Sequence, residues 1–281
     1  MMNDYSEKER NNIILCYPMD YNRLKKWGFP VFIQPKLDGN RCRYSAADQC
    51  LYSSTSEIII SVPHINEVLI HLPFNIHLDG ELYIHGIEQN EINSIVSRTV
   101  NISEDFESME YHIFDLITDD PQYLRLKDLY KLKEDIKSDK IKFVETKLIY
   151  SLEELNSEYL NYLNNGYEGI ILRHPSNKYI TRRSTYLMKF KPKKFDYYKI
   201  VGYVQEVDKH GNLKNSLGSL ICSGFNGEEF GVGSGFTRKQ REDLWKVKEK
   251  LIDKFCKVGY QSISSKKKVP RFSAFIEVVD L

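Results

Sequence analysis

The residues most able to do chemistry stand in one short run, Gln34-Pro35-Lys36-Leu37-Asp38-Gly39-Asn40-Arg41. A lysine is a nucleophile only as the neutral amine, so burial or neighbouring positive charge must lower its pKa. Further along, Glu81 and Glu168 are carboxylates that could hold a ribose hydroxyl or a divalent ion, and Phe114 is a flat apolar ring that could hold a base. Lys189 and Lys191 are cations for charge developing on a phosphate. Any one of these alone is more simply a surface charge or a core ring. Taken together and in order, they suit attack of a lysine amine on a nucleotide α-phosphate.

The elements that must position them are legible. Val31-Phe32-Ile33 is an apolar run fit for a buried strand, Asp38-Gly39-Asn40 is a turn signal, and Arg41 to Tyr44 resumes alternation. Lys36 is therefore predicted at the lip of a sheet. Strands are also predicted over Leu51–Ile60, Ile76–Ile84, Met109–Leu116, Phe143–Leu148, Gly169–Arg173 and Tyr186–Lys191. Helices are predicted over Val62–Leu72, Glu88–Val100 and Leu124–Ser138, and from a Ser151-x-x-Glu154 capping box to Asn164. Residues 1 to 12 read as a loose tail. After Lys194 come short strands with glycine-rich turns (Lys199–Val207, Leu217–Ser223, Glu229–Val232, Ser273–Val279) and one helix, Lys239–Cys256. That pattern fits a small closed β-barrel of the oligonucleotide-binding type.

Composition bounds the class. At 281 residues, with 41% apolar and 28% charged residues, the chain suits two soluble globular domains. Global charge is nearly nil, at 40 basic and 39 acidic residues, but it is unevenly spread. Lys178 to Lys194 holds seven Lys or Arg and no acid, and the residues after Lys194 carry a net of +4. That is a plausible phosphate footprint. Five cysteines without a CxxC spacing suggest neither a disulfide framework nor a zinc site. The polar N-terminus has no signal-peptide core and no apolar run is long enough to span a membrane, so an intracellular protein of cytoplasm or nucleoid is expected.

Five words, Lys-Leu-Asp-Gly-Asn-Arg at 36–41, Asp-Gly-Glu-Leu at 79–82, Tyr-His-Ile-Phe-Asp at 111–115, Glu-Gly-Ile-Ile-Leu-Arg at 168–173 and Leu-Met-Lys-Phe-Lys-Pro at 187–192, carry a family resemblance. In order they resemble motifs I, III, IIIa, IV and V of the covalent nucleotidyltransferases, which comprise DNA ligases, RNA ligases and mRNA-capping enzymes. The resemblance covers about residues 17 to 281. Two more stretches, Leu217-Gly-Ser-Leu with Phe230-Gly-Val-Gly-Ser-Gly-Phe-Thr, and Val269-Pro-Arg-Phe-Ser-Ala-Phe-Ile, are similar to the C-terminal barrel of small viral and phage-type ATP-dependent DNA ligases.

The resemblance implies an α+β nucleotidyltransferase domain of ATP-grasp-like DNA ligase type over residues 1–194, and an all-β OB-fold over 195–281. It implies ATP and Mg²⁺ (or Mn²⁺) as cofactors, nicked duplex DNA as substrate, and a monomer. Lys36 would form the lysyl-AMP phosphoramidate. Asp38 and Glu168 would bind the metal, Glu81 the ribose, Phe114 the adenine face and Gln34 the adenine edge. Lys189 and Lys191 would hold the α-phosphate and lower the pKa of Lys36. Arg41 would touch ribose or the nick phosphate, with Arg43, Arg182, Arg183, Lys193, Lys194 and Arg271 on DNA. An RNA ligase, a capping-type nucleotidyltransferase and a degenerate nick-binding module are the alternatives. Three departures from the family stand out. Ser53-Ser54-Thr55-Ser56 lacks the arginine usual in a Ser-Arg-x-Gly word, Val278-Val279 replaces a second basic residue near the C-terminus, and Val207 to Leu217 leaves no long insertion to close around DNA.

Overall fold

The computed structural model describes residues 12–192, 194–260, 262–264 and 267–280, so Lys193 and all of the predicted tail but its last residue, Asn12, lie outside the described residues. The chain divides into two compact units at Lys191/Pro192.

The first unit runs β1 (Leu15–Pro18), α1 (Tyr21–Trp27), β2 (Val31–Lys36), β3 (Asn40–Ser45), β4 (Cys50–Ser53), α2 (Pro63–Leu69), β5 (His77–Tyr83), α3 (Gln89–Val96), β6 (Glu110–Leu116), α4 (Gln122–Asp135), β7 (Ile141–Phe143), β8 (Lys147–Ile149), α5 (Leu152–Asn164), β9 (Gly169–Arg173) and β10 (Arg183–Phe190). Two five-stranded sheets result, ordered β1-β10-β9-β2-β8 and β4-β3-β5-β6-β7. Each has its own core. Val31, Ile33, Ile170, Leu172 and Met188 fill the first with Leu155 and Tyr159 of α5, while Tyr44, Leu78, Leu82, Tyr111 and Ile113 fill the second with α2 and α3.

Local chemistry explains the element ends. Asp20 caps α1, accepting from the backbone N–H of Asn22 at 2.9 Å and of Arg23 at 3.2 Å. Ser151 accepts from the Glu154 N–H at 3.1 Å, but Glu154 reaches back to Tyr150 N–H rather than to Ser151. The stretch expected as one strand, Phe143–Leu148, is two. β7 pairs parallel with β6 and β8 antiparallel with β2, so the residues between them cross from one sheet to the other. The strand expected over Leu51–Ile60 stops at Ser53, whose hydroxyl accepts from the N–H groups of Thr55 and Glu57 and folds a turn there.

The second unit holds β11 (Lys194–Val207), β12 (Leu213–Ser223), β13 (Glu229–Val232), α6 (Arg238–Lys246), β14 (Phe255–Tyr260), β15 (Ser262–Ile263), β16 (Pro270–Arg271) and β17 (Ala274–Val279). Its main sheet is ordered β13-β12-β11-β14-β17 and is antiparallel throughout. The expected closure rests on one parallel bridge, Ser234 to Ala274, with Phe275 N–H on the Ser234 carbonyl at 2.8 Å. The predicted helix to Cys256 ends at Lys246, and Cys256 lies in β14. The true start, Thr237, was marked by a full capping box with Gln240. Val278 packs against this unit's core, so burial accounts for an apolar residue there. Among the described residues no helix is long and apolar enough to cross a membrane.

A fully buried ion network fastens the first unit. Asp115 accepts from Arg125 Nε at 2.8 Å and Nη2 at 3.0 Å, and from Arg173 Nη1 at 2.6 Å. Arg125 also donates to the carbonyls of Asp120 and Asn177, tying α4 to the loop before β10. Burial alone would raise the Asp115 pKa, but Arg173 and then Arg125 hold it below the usual carboxylate value. Asp115→Ala leaves two buried guanidiniums without counter-charge and is expected to cost about 3–5 kcal/mol, read as a lower urea midpoint. Because the folded pKa is depressed, this contribution is present above about pH 4 and is lost as pH falls further. The acid-unfolding curve of Asp115→Asn should lack that component.

Candidate active site

Lys36 is the last residue of β2, and the turn after it brings the chain straight into β3. Gly39 makes that turn possible, since a Cβ there would sit 2.3 Å from the Leu82 carbonyl oxygen. Gly169 does the same across the site. Its φ is +149°, and a Cβ would meet the Phe190 carbonyl oxygen at 2.2 Å. Gly169 pairs directly with Lys36, and the Glu168 N–H donates to the Lys36 carbonyl at 3.1 Å. Backbone pairing thus brings the two side chains together.

A cavity of about 840 Å³ opens between the two sheets. Lys36, Gln34, Ile171, Arg173 and Lys189 line it from the first sheet, and Arg41, Glu81 and Phe114 from the second. The Lys36 ammonium donates to Glu168 Oε2, and Lys191 Nζ donates to Glu168 Oε1 at 2.8 Å. Glu168 is pushed up by burial but held lower on balance by Lys36 and Lys191.

Lys36 itself departs from expectation. Burial would lower its pKa, but Glu168, then Glu81 and Asp38, outweigh burial and hold it above the ordinary lysine value. An opposite charge at hydrogen-bond distance prevails over desolvation. Among the lysines of the site it is Lys189 whose pKa is lowered, by burial joined by Lys191 and Lys36, against upward pulls from Cys16 and Glu168. The expectation that Lys189 and Lys191 make Lys36 neutral is therefore corrected: in the free protein Lys36 is an ion-paired ammonium. Glu81, half-buried and facing Asp79 and Glu168, is pushed up to about 7 by desolvation although Lys36 and Arg41 pull it down.

Phe114 lies at the cavity wall with two guanidiniums near its ring, Arg41 at 5.0 Å and Arg173 at 5.4 Å from the ring centre. Each arginine is held by a buried aspartate. Arg41 donates Nε and Nη2 to Asp79 at 2.9 and 2.5 Å, and Nη2 also to the Ile14 carbonyl. Tyr179 donates to Asp79 at 2.6 Å. Gln34, expected at the base edge, is 1% exposed. Its amide donates to the Phe114 carbonyl and Thr146 hydroxyl, and its oxygen accepts from Arg173 Nε. Its polar atoms therefore fix Phe114 and Arg173.

The remaining sites scatter. Asp38 is exposed on the turn. Arg43 stacks 4.3 Å from the Tyr52 ring. Arg182 and Arg183 are exposed at the start of β10, with Arg183 donating to the Cys16 carbonyl and lining the cavity. In the second unit Lys194 is exposed, and Arg271 lies over the Phe272 ring at 5.7 Å. Sequence reasoning gave no role to Asp79, Asp115, Arg173 or Tyr179. The first three stand inside the five words, so the signal was there.

Among the described residues no cluster of three or more His, Cys, Asp or Glu side chains is placed to hold a metal.

Residues 16–191 match the family model described as ATP dependent DNA ligase domain, and residues 210–278 match a DNA ligase OB-like domain. The chain is 26% identical over 265 residues to the DNA ligase of African swine fever virus, a match covering 85% of this chain and 61% of that protein, so it spans under two thirds of that relative's length. It is 26% identical to the DNA ligase of Haemophilus influenzae, over 70% of each chain. Among solved structures, a Lig E DNA ligase superposes with a TM-score of 0.76 at 21% identity, covering 95% of this chain and 98% of that one. The Chlorella virus DNA ligase-adenylate gives 0.54 at 26% identity, covering 97% and 99%. Since the catalytic-domain match takes in more than half of its residues, the chain belongs to the family of ATP-dependent DNA ligases.

Proposed function

We propose that this protein is an ATP-dependent DNA ligase that joins 5′-phosphate and 3′-hydroxyl ends at nicks in duplex DNA. The observation that carries this reading is Lys36 on the cavity wall, its ammonium on a carboxylate shared with Lys191. Three transfers follow. In the first, the Lys36 amine gives up a proton and attacks the α-phosphorus of ATP, so a P–N bond forms as the bond to pyrophosphate breaks. In the second, a 5′-phosphate oxygen of the nick takes the AMP and frees Lys36. In the third, the 3′-hydroxyl attacks that 5′-phosphorus, AMP leaves, and the phosphodiester is made.

Each step asks something of named residues. Phe114, steadied by Gln34, Arg41 and Arg173, offers its face to adenine, and Glu81 holds the ribose hydroxyls. Lys189 and Lys191 face the α-phosphate and stabilise the charge that grows there. Asp38 and Glu168 are assigned to the magnesium ion that accompanies ATP as substrate. A magnesium ion held there would supply positive charge beside Glu168, the carboxylate on which the Lys36 ammonium rests. Arg43, Arg182, Arg183, Lys194 and Arg271 are assigned to the DNA backbone, because sealing needs no base readout. Matches to DNA-ligase families in both units favour nicked DNA over RNA or a cap. The protein would act as a monomer in the cytoplasm or nucleoid, where ATP and DNA meet and its five free thiols stay reduced.

Incubation with α-labelled ATP and magnesium should transfer the label to the wild-type protein and not to Lys36→Ala. Label retained by the variant would assign the nucleophile elsewhere.

The β11–β12 connection is only Asp208 to Asn212, a turn closed by Asp208 on the N–H groups of His210 and Asn212. No segment there can encircle a duplex. With few cations available, roughly four neutralised phosphates are expected, so affinity for nicked duplex should fall about 100-fold between about 50 and 200 mM salt. Anisotropy titrations that stay flat across this range would contradict the assignment of those cations.

A further inference from the structure

The cavity extends past the nucleophile along a wall of different character. After the Ser53 turn the chain runs extended, with Ile59 N–H on the Leu51 carbonyl and Ile58 bridged to Tyr52. Ile59 packs against the core of the second sheet. Ile58 and Ile60 project on the opposite side, 53% and 49% exposed, and both line the cavity. Ser61 donates to the Val96 carbonyl at 2.8 Å and pins this strip to the end of α3. There the exposed Arg98, its Nε on the Ser94 carbonyl, lines the same cavity.

The Ser53 hydroxyl, at the turn that leads into this strip, has little to offer a ligand. The Ser53 hydroxyl shares a 3.0 Å bond with Thr55 and accepts two backbone N–H groups of its own turn. Arg183 and Lys189 line the cavity as well, and the acids on its wall are Glu57 and Glu81. A strip of isoleucine carbon flanked by cations is complementary to a sugar–phosphate strand: the cations face phosphate and the carbon faces the apolar side of a sugar.

We propose that Ile58 and Ile60 form a sugar-selecting wall that admits deoxyribose and rejects ribose, with Arg98 anchoring the adjacent phosphate. This rests on the DNA-ligase reading and specifies its substrate. A 2′-hydroxyl is both donor and acceptor and marks RNA against DNA. Pressed on isoleucine it loses its water and gains no partner. A hydrophobic wall facing one added hydroxyl discriminates by about 10- to 100-fold.

The test compares single-turnover sealing of an all-DNA nick with nicks bearing one ribonucleotide, placed in turn at each of the three positions on either side of the break. Wild-type protein should show a penalty of about 10- to 100-fold at one or two neighbouring positions. Ile58→Ser and Ile60→Ser should shrink that penalty about 10-fold at the same positions, whereas Ile58→Val should keep it. Wild-type sealing that is indifferent to ribose everywhere overturns the proposal with no variant needed. So does a penalty that both serine variants leave unchanged. Labelling by ATP is measured in the same preparations. A wild-type protein that takes label but seals no nick would refute the DNA-ligase reading itself, which is distinct from a sealing enzyme blind to the sugar.

Discussion

One carboxylate, Glu168, holds the site together by accepting from two ammonium groups at once. Its place is set by the backbone, because Gly169 pairs with Lys36 and no larger residue could stand against the Phe190 carbonyl. The same contact holds the Lys36 amine as an ion-paired ammonium in the free protein. An amine locked to a carboxylate has no lone pair to use, and burial alone does not free it. On the proposed reading, a ligand that lowers the negative charge on Glu168 would free it, so occupation of the site and activation of the amine would be one event. An isolated neutral lysine would be open to any electrophile that entered.

Around this pair the fold uses a device twice. A buried aspartate grips an arginine, and the arginine lies against Phe114. Asp79 and Arg41 do this from the second sheet, and Asp115 reaches Arg173 of the first. Buried ion pairs seldom repay their desolvation as stability. Their yield here is geometric, since two planar guanidiniums and the Gln34 amide leave the Phe114 ring little freedom. Arg41 and Tyr179 also hold the backbone of Ile14 by its carbonyl and N–H, so the segment entering β1 is fastened by the same network.

What the sequence revealed divides along physical lines. Lys36, Glu81, Phe114, Glu168 and Lys189 all line or adjoin one cavity because each sits on, or for Glu168 just before, a strand whose pattern is strong enough to read locally. What it concealed was set by distant partners. The split of Phe143–Leu148 between two sheets depends on which strands wait on either side, and nothing local shows it. The resemblance implied that Lys189 and Lys191 lower the pKa of Lys36, but the Glu168 carboxylate, which accepts from both Lys36 and Lys191, holds the Lys36 ammonium charged. Gln34 reads as a polar residue beside a nucleophile, yet 139 positions separate it from the Arg173 that occupies its oxygen.

The basic run from Lys178 to Lys194 shows how a local pattern acquires meaning from a strand. Net charge near zero gives the protein no general pull on a polyanion, so attraction must be local. β10 carries Arg183 at its exposed start and Lys189 within the cavity, with Lys191 just beyond its end. Six residues at about 3.3 Å each span roughly 20 Å, so one strand carries positive charge from a solvent-facing rim to a partly buried floor. Desolvation increases along that path, and an ion interaction strengthens as water is excluded. On the proposed reading, a phosphate moving inward would meet cations of growing effect, the last of them beside the Glu168 carboxylate that holds Lys36.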